Sequence, residues 1–185
     1  SQNLFDQDQC DLSSAPTDNR FSLLKNTLAR FSQAKTFGSL IEVPAEDAEP
    51  LGELLEQMRQ LVRDGDVMQK PAAEQLIPFL QQAWILAQKY DAVIANPPYM
   101  GTRMMNSELK GFAAKYYESS KTDIYSMFME RGLRQLNASS HLAMVAMQSW
   151  MFLSSHEKMR KKIIDANSIV SLLHLGPRAF SQISG

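Results

Sequence analysis

In the first half of the chain, apolar residues recur every three or four positions, which is the spacing of amphipathic helices. The pattern predicts helices near residues 21–34, 50–63 and 71–89. A short glycine-containing connection joins the last two, so we expect them to form an antiparallel helical hairpin. The polar residues 1–20 are expected to be a loop that leads into the first helix, and the apolar run Thr36–Val43 is expected to be a strand.

From residue 90 onward the pattern changes to short apolar runs separated by helical segments. The runs, which predict buried strands, are residues 91–95, 141–147 and 169–175. Helices are predicted at 107–118, at 123–137 and from 154 to about 166. Strands that alternate with helices favour a parallel sheet with right-handed crossovers, so this half of the chain predicts an α/β fold.

Composition excludes several classes of protein. The chain has 185 residues, 44% of them hydrophobic, and a net charge of -1, so we expect a folded core rather than disorder. Cys10 is the only cysteine, which excludes a disulfide scaffold, and it lacks metal-ligand spacing with the three histidines, so no metal site is expected. No apolar run approaches the roughly 18 residues of a membrane helix, and no signal pattern is present. We therefore expect a cytoplasmic setting without a membrane partner.

The strongest candidate for chemistry is the tetrapeptide Asn96-Pro97-Pro98-Tyr99, which follows the predicted strand 91–95. Ligands of open parallel sheets bind outside the carboxyl ends of strands, so the position suits a site. Two prolines stiffen the loop, because each fixes its own φ and restricts the residue before it. The Asn96 amide oxygen and the Pro97 carbonyl can accept both hydrogens of one amino group, and Tyr99 offers a ring for stacking. An ordinary turn is the alternative interpretation.

This tetrapeptide resembles motif IV of the S-adenosylmethionine-dependent amino-methyltransferases. The segments around Asp123-Ile124-Tyr125, Ser149–Ser155 and His174-Leu175-Gly176 resemble one subgroup of them. That subgroup contains the large adenine-specific (N6) DNA methyltransferases of phage-defence systems (BREX, PglX-type) and related restriction–modification enzymes. The resemblance implies that residues 90–185 are the C-terminal part of a catalytic domain with a partial Rossmann-like class I methyltransferase fold. The helical hairpin would be an insertion before it.

The resemblance also implies the reaction and the roles of individual residues. The reaction is methylation of the exocyclic amine of adenine in double-stranded DNA, with S-adenosyl-L-methionine as cofactor and with the target base flipped out of the helix. Asn96–Tyr99 would be the catalytic loop, and Asp123 and Tyr125 would border the cofactor. Tyr99 and Phe180 would lie against the flipped base. Other subunits of a defence system are further expected partners.

Two alternatives remain open at this point. A glutamine side chain of a protein and a base of RNA also present an amino group on an sp² carbon, so the loop alone does not select DNA. A non-catalytic interaction module, with the hairpin from Pro50 to Lys89 as its binding surface, is the alternative from another class. The basic residues Lys158, Arg160, Lys161 and Lys162 could contact phosphates, but a solvated helix face is the favoured interpretation.

Glycine is scarce, with 8 residues in 185, and no two glycines lie within one short loop. A methyltransferase fold binds the methionine part of its cofactor on a glycine-rich turn after its first strand. We therefore expect this chain to be about the catalytic half of a larger domain, with an incomplete S-adenosyl-L-methionine site and no target-recognition domain. In isolation it is expected to be inactive.

Overall fold

The computed structural model describes the backbone of residues 16–176 and the side chains of residues 19–176. The chain divides into two compact units, of which one ends at Gln88 and the other begins at Lys89. Within the described residues, no helix is both long enough and apolar enough to cross a membrane.

The first unit is built from helices. These are α1 (Pro16–Arg30), α2 (Ala34–Phe37), α3 (Ala48–Asp64) and α4 (Gln69–Ala87). The long helices α3 and α4 occupy the segments where the apolar spacing predicts helices, and they pack against each other. Their shared core is formed by Phe31, Ile41, Val43, Leu51, Leu54, Leu55, Leu80, Ala83 and Ala87. Each fully buried large apolar side chain contributes about 1.5–3 kcal/mol, so this core stabilises the helix pair.

Two predictions for the first unit are wrong. Helix α1 begins at Pro16 rather than near residue 21, so residues 16–20 are helical and not part of a loop. Proline is well tolerated in a first helical turn, where the N–H has no partner in any case. The run Thr36–Val43 is not a strand, because it contains the end of α2 and a 3-10 turn at Gly38–Leu40. Its apolar side chains instead enter the helical core, in which Ile41 is buried.

The second unit combines helices with a sheet. Its elements are β1 (Tyr90–Ala95), α5 (Ser107–Tyr116), α6 (Ile124–Arg134), β2 (Leu136–Met144) and α7 (Glu157–Ala166). The strands β1 and β2 pair in parallel, with Ala95 opposite Met144, and α5 and α6 lie in the connection between them. At Gly132 of α6, an added Cβ would come within 2.8 Å of Leu142 Cδ1. The missing side chain therefore lets α6 lie close to the sheet.

Three predictions for the second unit need correction. The strands are expected to be buried, but no residue of β1 or β2 is buried: α6 lies against Val93 and Leu142, and Ile94, on the opposite face, is 84% exposed. Strand β2 begins at Leu136 rather than at residue 141, and α6 ends accordingly at Arg134. The predicted strand at 169–175 is absent: within the part of the chain that the structure describes, the sheet has two strands, and neither pairs with this segment. Val170 and Leu173 are 83% and 80% exposed. A strand needs a hydrogen-bonded neighbour, and apolar character alone does not create one.

Candidate functional site

The candidate loop lies at the carboxyl edge of the parallel sheet. Both strands end at this edge, where Val145 N donates a hydrogen bond to Ala95 O at 3.1 Å. Asn96 follows Ala95 directly, and the segment after β2 continues from the same edge. The two segments that follow the strands are therefore neighbours, which is the arrangement in which α/β proteins bind ligands.

Burial differs from residue to residue along the loop. Pro97 is buried, whereas Asn96 and Pro98 are exposed and Tyr99 is 38% exposed. The Asn96 side chain makes no hydrogen bond to any residue between 19 and 176. The buried proline thus fixes the loop to the body of the unit, while the amide of Asn96 and part of the Tyr99 ring face solvent.

Asp123 fastens the loop to the start of α6. Its Oδ1 accepts hydrogen bonds from Met100 N at 3.0 Å and from Tyr125 N at 3.2 Å, so one carboxylate oxygen caps the helix and holds the loop backbone. Ile124 N donates to Met100 O at 3.1 Å, and Gly101 forms an antiparallel bridge with Asp123. The loop backbone therefore has little freedom to move away from α6.

The last residue of the loop, Tyr99, packs against a tyrosine of α6. The rings of Tyr99 and Tyr125 lie edge to face, with centroids 5.8 Å apart and an angle of 78° between their planes. Tyr125 is 1% exposed, so it forms the rigid side of the pair. Burial raises the pKa of both phenols, and at Tyr125 this outweighs the lowering effect of the Ser149 hydrogen bond. Both rings are consequently neutral at physiological pH.

Four polar side chains form a chain of hydrogen bonds around Tyr125. The Tyr125 hydroxyl lies 3.0 Å from Ser149 Oγ and 3.2 Å from His156 Nε2, and His156 Nδ1 lies 3.2 Å from Thr122 Oγ1. His156 is 3% exposed. Burial lowers the pKa of its imidazole, against an opposing effect of Asp123. The imidazole is therefore neutral at physiological pH, with one nitrogen that donates and one that accepts.

The structure brings Asn96–Tyr99, Asp123 and Tyr125 together, as a single site requires. The roles of Asp123 and Tyr125 at a cofactor stay predictions, and Phe180 lies outside the described residues. Sequence reasoning missed His156 and the two hydroxyl residues bonded to its network. The resemblance of Ser149–Ser155 to the methyltransferase subgroup is the signal that could have drawn attention to them.

The basic cluster of α7 is largely engaged with protein groups. Arg160 donates to Trp150 O at 2.8 Å, Lys162 donates to Ser119 Oγ at 2.8 Å, and Lys158 pairs with Glu118 at 3.2 Å. Lys158 and Glu118 are both exposed, and such surface pairs contribute little to stability. These contacts agree with a solvated helix face rather than with a dedicated phosphate site.

Comparison with known proteins decides the family. The model of the Eco57I restriction-modification methylase family matches residues 17–180. The chain belongs to this family. It is 52% identical over 172 residues, or 92% of this chain, to the adenine-specific methyltransferase BrxX of Escherichia coli O9:H4 (strain HS). It is 31% identical over 170 residues, or 88% of this chain, to the adenine-specific methyltransferase PglX of Lacticaseibacillus casei (strain Zhang).

The matches to these relatives cover 14% of the length of each. A shorter match, 28% identical over 98 residues, is to the type II methyltransferase M.VspI of Vibrio sp. (strain 343). Membership in this methyltransferase family confirms the resemblance seen in the sequence. The helices and the two-stranded parallel sheet of the second unit are consistent with part of a methyltransferase fold.

Proposed function

We propose that this chain carries the target-amine loop of an S-adenosyl-L-methionine-dependent methyltransferase that modifies N6 of adenine in DNA. The supporting observation is the loop Asn96–Tyr99, held at the carboxyl edge of the sheet with the Asn96 amide exposed. The names of the two long relatives, both adenine-specific methyltransferases, agree with this substrate. A role in a restriction–modification or phage-defence system, with its other subunits as partners, is part of the same proposal.

The chemistry follows from the two acceptors of the loop. The lone pair of an aromatic amine is delocalised into its ring, so the amine is a poor nucleophile. Hydrogen bonds from its two N–H groups to the Asn96 amide oxygen and the Pro97 carbonyl draw the nitrogen toward tetrahedral geometry. The lone pair then points at the position where the sulfonium methyl of a bound cofactor would lie. The new N–C bond would form as the S–C bond breaks, the cofactor would leave as a neutral thioether, and the nitrogen would release one proton to solvent. Tyr99 stacks on the flipped base and keeps it in this orientation.

The described residues fit one part of a cofactor site. Asp123 uses Oδ1 for the two backbone hydrogen bonds, and its Oδ2 lies beside Gly101, 3.6 Å from where a Cβ would stand there. A carboxylate oxygen next to a residue without a side chain suits a ribose hydroxyl or an ammonium group, so we assign Asp123 to the cofactor. Tyr125, which is buried, supports this region from behind. S-Adenosyl-L-methionine, when bound, supplies the methyl group on its sulfonium.

The substitution Asn96→Ala in the complete natural protein tests this function. It removes one of the two acceptors for the amine, so methylation of adenine is expected to fall by at least about a hundredfold, as when other preorganised polar groups are removed from active sites. The control is Asn26→Ala, which changes an exposed asparagine of α1 and is expected to leave the rate unchanged. The readout is N6-methyladenine in digested DNA, and equal amounts from Asn96→Ala and wild type would sink the proposal.

A further inference from the structure

The hydrogen-bonded chain around Tyr125, in which Tyr125 and His156 are buried and Thr122 and Ser149 are half-buried, connects three separate segments of the second unit. Thr122 precedes α6, Ser149 lies in the 3-10 turn Gln148–Met151 that follows β2, and His156 stands at the start of α7. The Tyr125 hydroxyl receives contacts from two of these segments, through Ser149 Oγ at 3.0 Å and His156 Nε2 at 3.2 Å. The chain therefore fixes Tyr125 from outside its own helix.

The donors and acceptors of this chain balance with a neutral imidazole. In one direction Ser149 donates to Tyr125, Tyr125 donates to His156 Nε2, and His156 Nδ1–H donates to Thr122 Oγ1. In the other direction every donor and acceptor is reversed, and each of the polar atoms still has a partner. Removing the imidazole would leave one side of the Tyr125 hydroxyl without a partner, and Tyr125 is 1% exposed, so the loss would be costly.

His156 itself is held in place by its surroundings. It is 3% exposed and directly precedes α7, and Arg160 of that helix donates to the carbonyls of Trp150 at 2.8 Å and Leu153 at 3.1 Å. The positive end of the α7 dipole also disfavours a charged ring at this position. The imidazole thus presents Nε2 to Tyr125 in a fixed direction, and its burial excludes direct contact with a substrate.

The Tyr125 ring is in turn the surface on which Tyr99 rests. The two rings meet edge to face at 5.8 Å, and aromatic pairs of this geometry are directional. Tyr99 remains 38% exposed, so it has one supported side and one side open to solvent. A shift of the Tyr125 ring would change the position of Tyr99 without any change in Tyr99 itself.

We propose that His156 is a positioning residue of the methyltransferase site. Through the Tyr125 hydroxyl it holds the ring on which Tyr99 packs, and it thereby sets the orientation in which Tyr99 receives the planar target base. The inference rests on the proposed function for the identity of that base. It does not make His156 a proton acceptor for the amine, since its side chain reaches the loop only through Tyr125.

A double-mutant cycle in the complete natural protein tests this. His156→Ala and Tyr125→Phe each break the same hydrogen bond, so each is expected to lower kcat/KM for DNA by about tenfold, the effect of one lost hydrogen bond. The KM for S-adenosyl-L-methionine should change less than the KM for DNA, because both variants leave Asp123 in place and act on the orientation of the Tyr99 ring, which meets the base. The double variant should lose hardly more than either single variant. Additive losses, or equal losses in both KM values, would overturn the inference.

Two further variants separate positioning from folding. His156→Gln places an amide nitrogen near the position of Nε2, so it is expected to keep most of the wild-type rate. This variant tests the inference even if His156→Ala does not fold. A His156→Gln variant as inactive as Tyr125→Phe would contradict the inference. His141→Ala, which changes an exposed histidine of β2, is the control that should behave as wild type.

A crystal structure of the Tyr125→Phe variant gives a readout that does not depend on activity. We expect the ring of Tyr99 to leave its edge-to-face contact or to lose defined electron density. An unchanged Tyr99 ring would refute the role of the hydrogen-bonded chain even if the enzyme methylates adenine. Conversely, a displaced Tyr99 in a protein that does not methylate adenine would contradict the proposed function alone.

Discussion

Individual residues of the loop combine exposure and burial in a way that avoids unpaired polar groups. Pro97 is buried, but it carries no N–H, so its burial leaves no donor without a partner. The polar amide of Asn96 remains in solvent, where water satisfies it until a ligand replaces the water. The buried proline ring therefore stiffens the loop without an unpaired donor, while the Asn96 amide stays available to a ligand.

The neutral state of His156 predicts a dependence of stability on pH. Burial lowers the pKa of His156 below its ordinary value of 6.5, with Arg160 acting in the same direction and Asp123 against it. Below pH 6.5 the unfolded chain therefore binds a proton that the folded chain resists, so the free energy of unfolding falls as the pH decreases through this range. Above pH 6.5 this contribution is fully present.

Chemical denaturation of wild type and His156→Gln at a series of pH values measures this contribution. The difference in stability between the two proteins should be constant above pH 6.5 and should shrink in acid, because the variant has no imidazole to protonate. A difference that grows as the pH falls would mean that the folded protein favours the charged ring, contrary to its burial.

At the scale of elements, two of the described helices of the second unit begin with a side-chain cap, and one of these two caps also holds the loop. Asn106 Oδ1 accepts from Leu109 N at 2.8 Å at the start of α5. Asp123 Oδ1 accepts from Tyr125 N in α6 and from Met100 N in the loop. Loss of either cap costs about 0.5–2 kcal/mol, but loss of Asp123 also releases the loop backbone.

The two caps can be compared by removing each of them, with the variants Asp123→Ala and Asn106→Ala. Both should lower the free energy of unfolding by about 0.5–2 kcal/mol. Only Asp123→Ala should accelerate hydrogen exchange at the Met100 amide, because that N–H loses its acceptor. Asp123→Asn, which keeps an acceptor oxygen, should restore much of the protection. Equal exchange at Met100 in both alanine variants would show that Asp123 does not hold the loop.

The elements also show what the sequence could and could not predict. Helices α3 and α4 follow from local periodicity, and their buried faces satisfy that pattern within the described residues. Strand β1 also lies where its apolar run predicts, but it is not buried, and Ile94 is 84% exposed. The runs Thr36–Val43 and 169–175 have the same apolar character, but a strand depends on a partner elsewhere in the chain. Local sequence carries no information about that partner.

Some residues of the candidate site can likewise be identified from local sequence, whereas others depend on packing between distant segments. The loop Asn96–Tyr99 and its neighbours Asp123 and Tyr125 could be found from motif and resemblance, because they are short contiguous segments. The contact of His156 with Tyr125 joins residues 31 positions apart and arises from the packing of α7 near α6. The burial of His156, which is 3% exposed, follows from that packing and is not visible in the local sequence.

At the scale of the whole molecule, the family match extends across both units. The matched residues 17–180 include the helical unit as well as the sheet, so the helices before β1 are shared with the restriction-modification methylases. The chain nevertheless spans only 14% of each of the two long relatives, and no glycine-rich turn for a cofactor occurs in its sequence. Activity is therefore to be measured on the complete natural protein.

The most direct measurement is the destination of a labelled methyl group. The complete natural protein is incubated with methyl-labelled S-adenosyl-L-methionine and a mixture of unmethylated double-stranded DNA, ribosomal RNA and protein, and the products are digested and separated. The account predicts label in N6-methyladenine from DNA with wild type and almost none with Asn96→Ala. Label in glutamine or in an RNA base would contradict the account. So would the absence of label from all products when a control methyltransferase shows that the cofactor is intact.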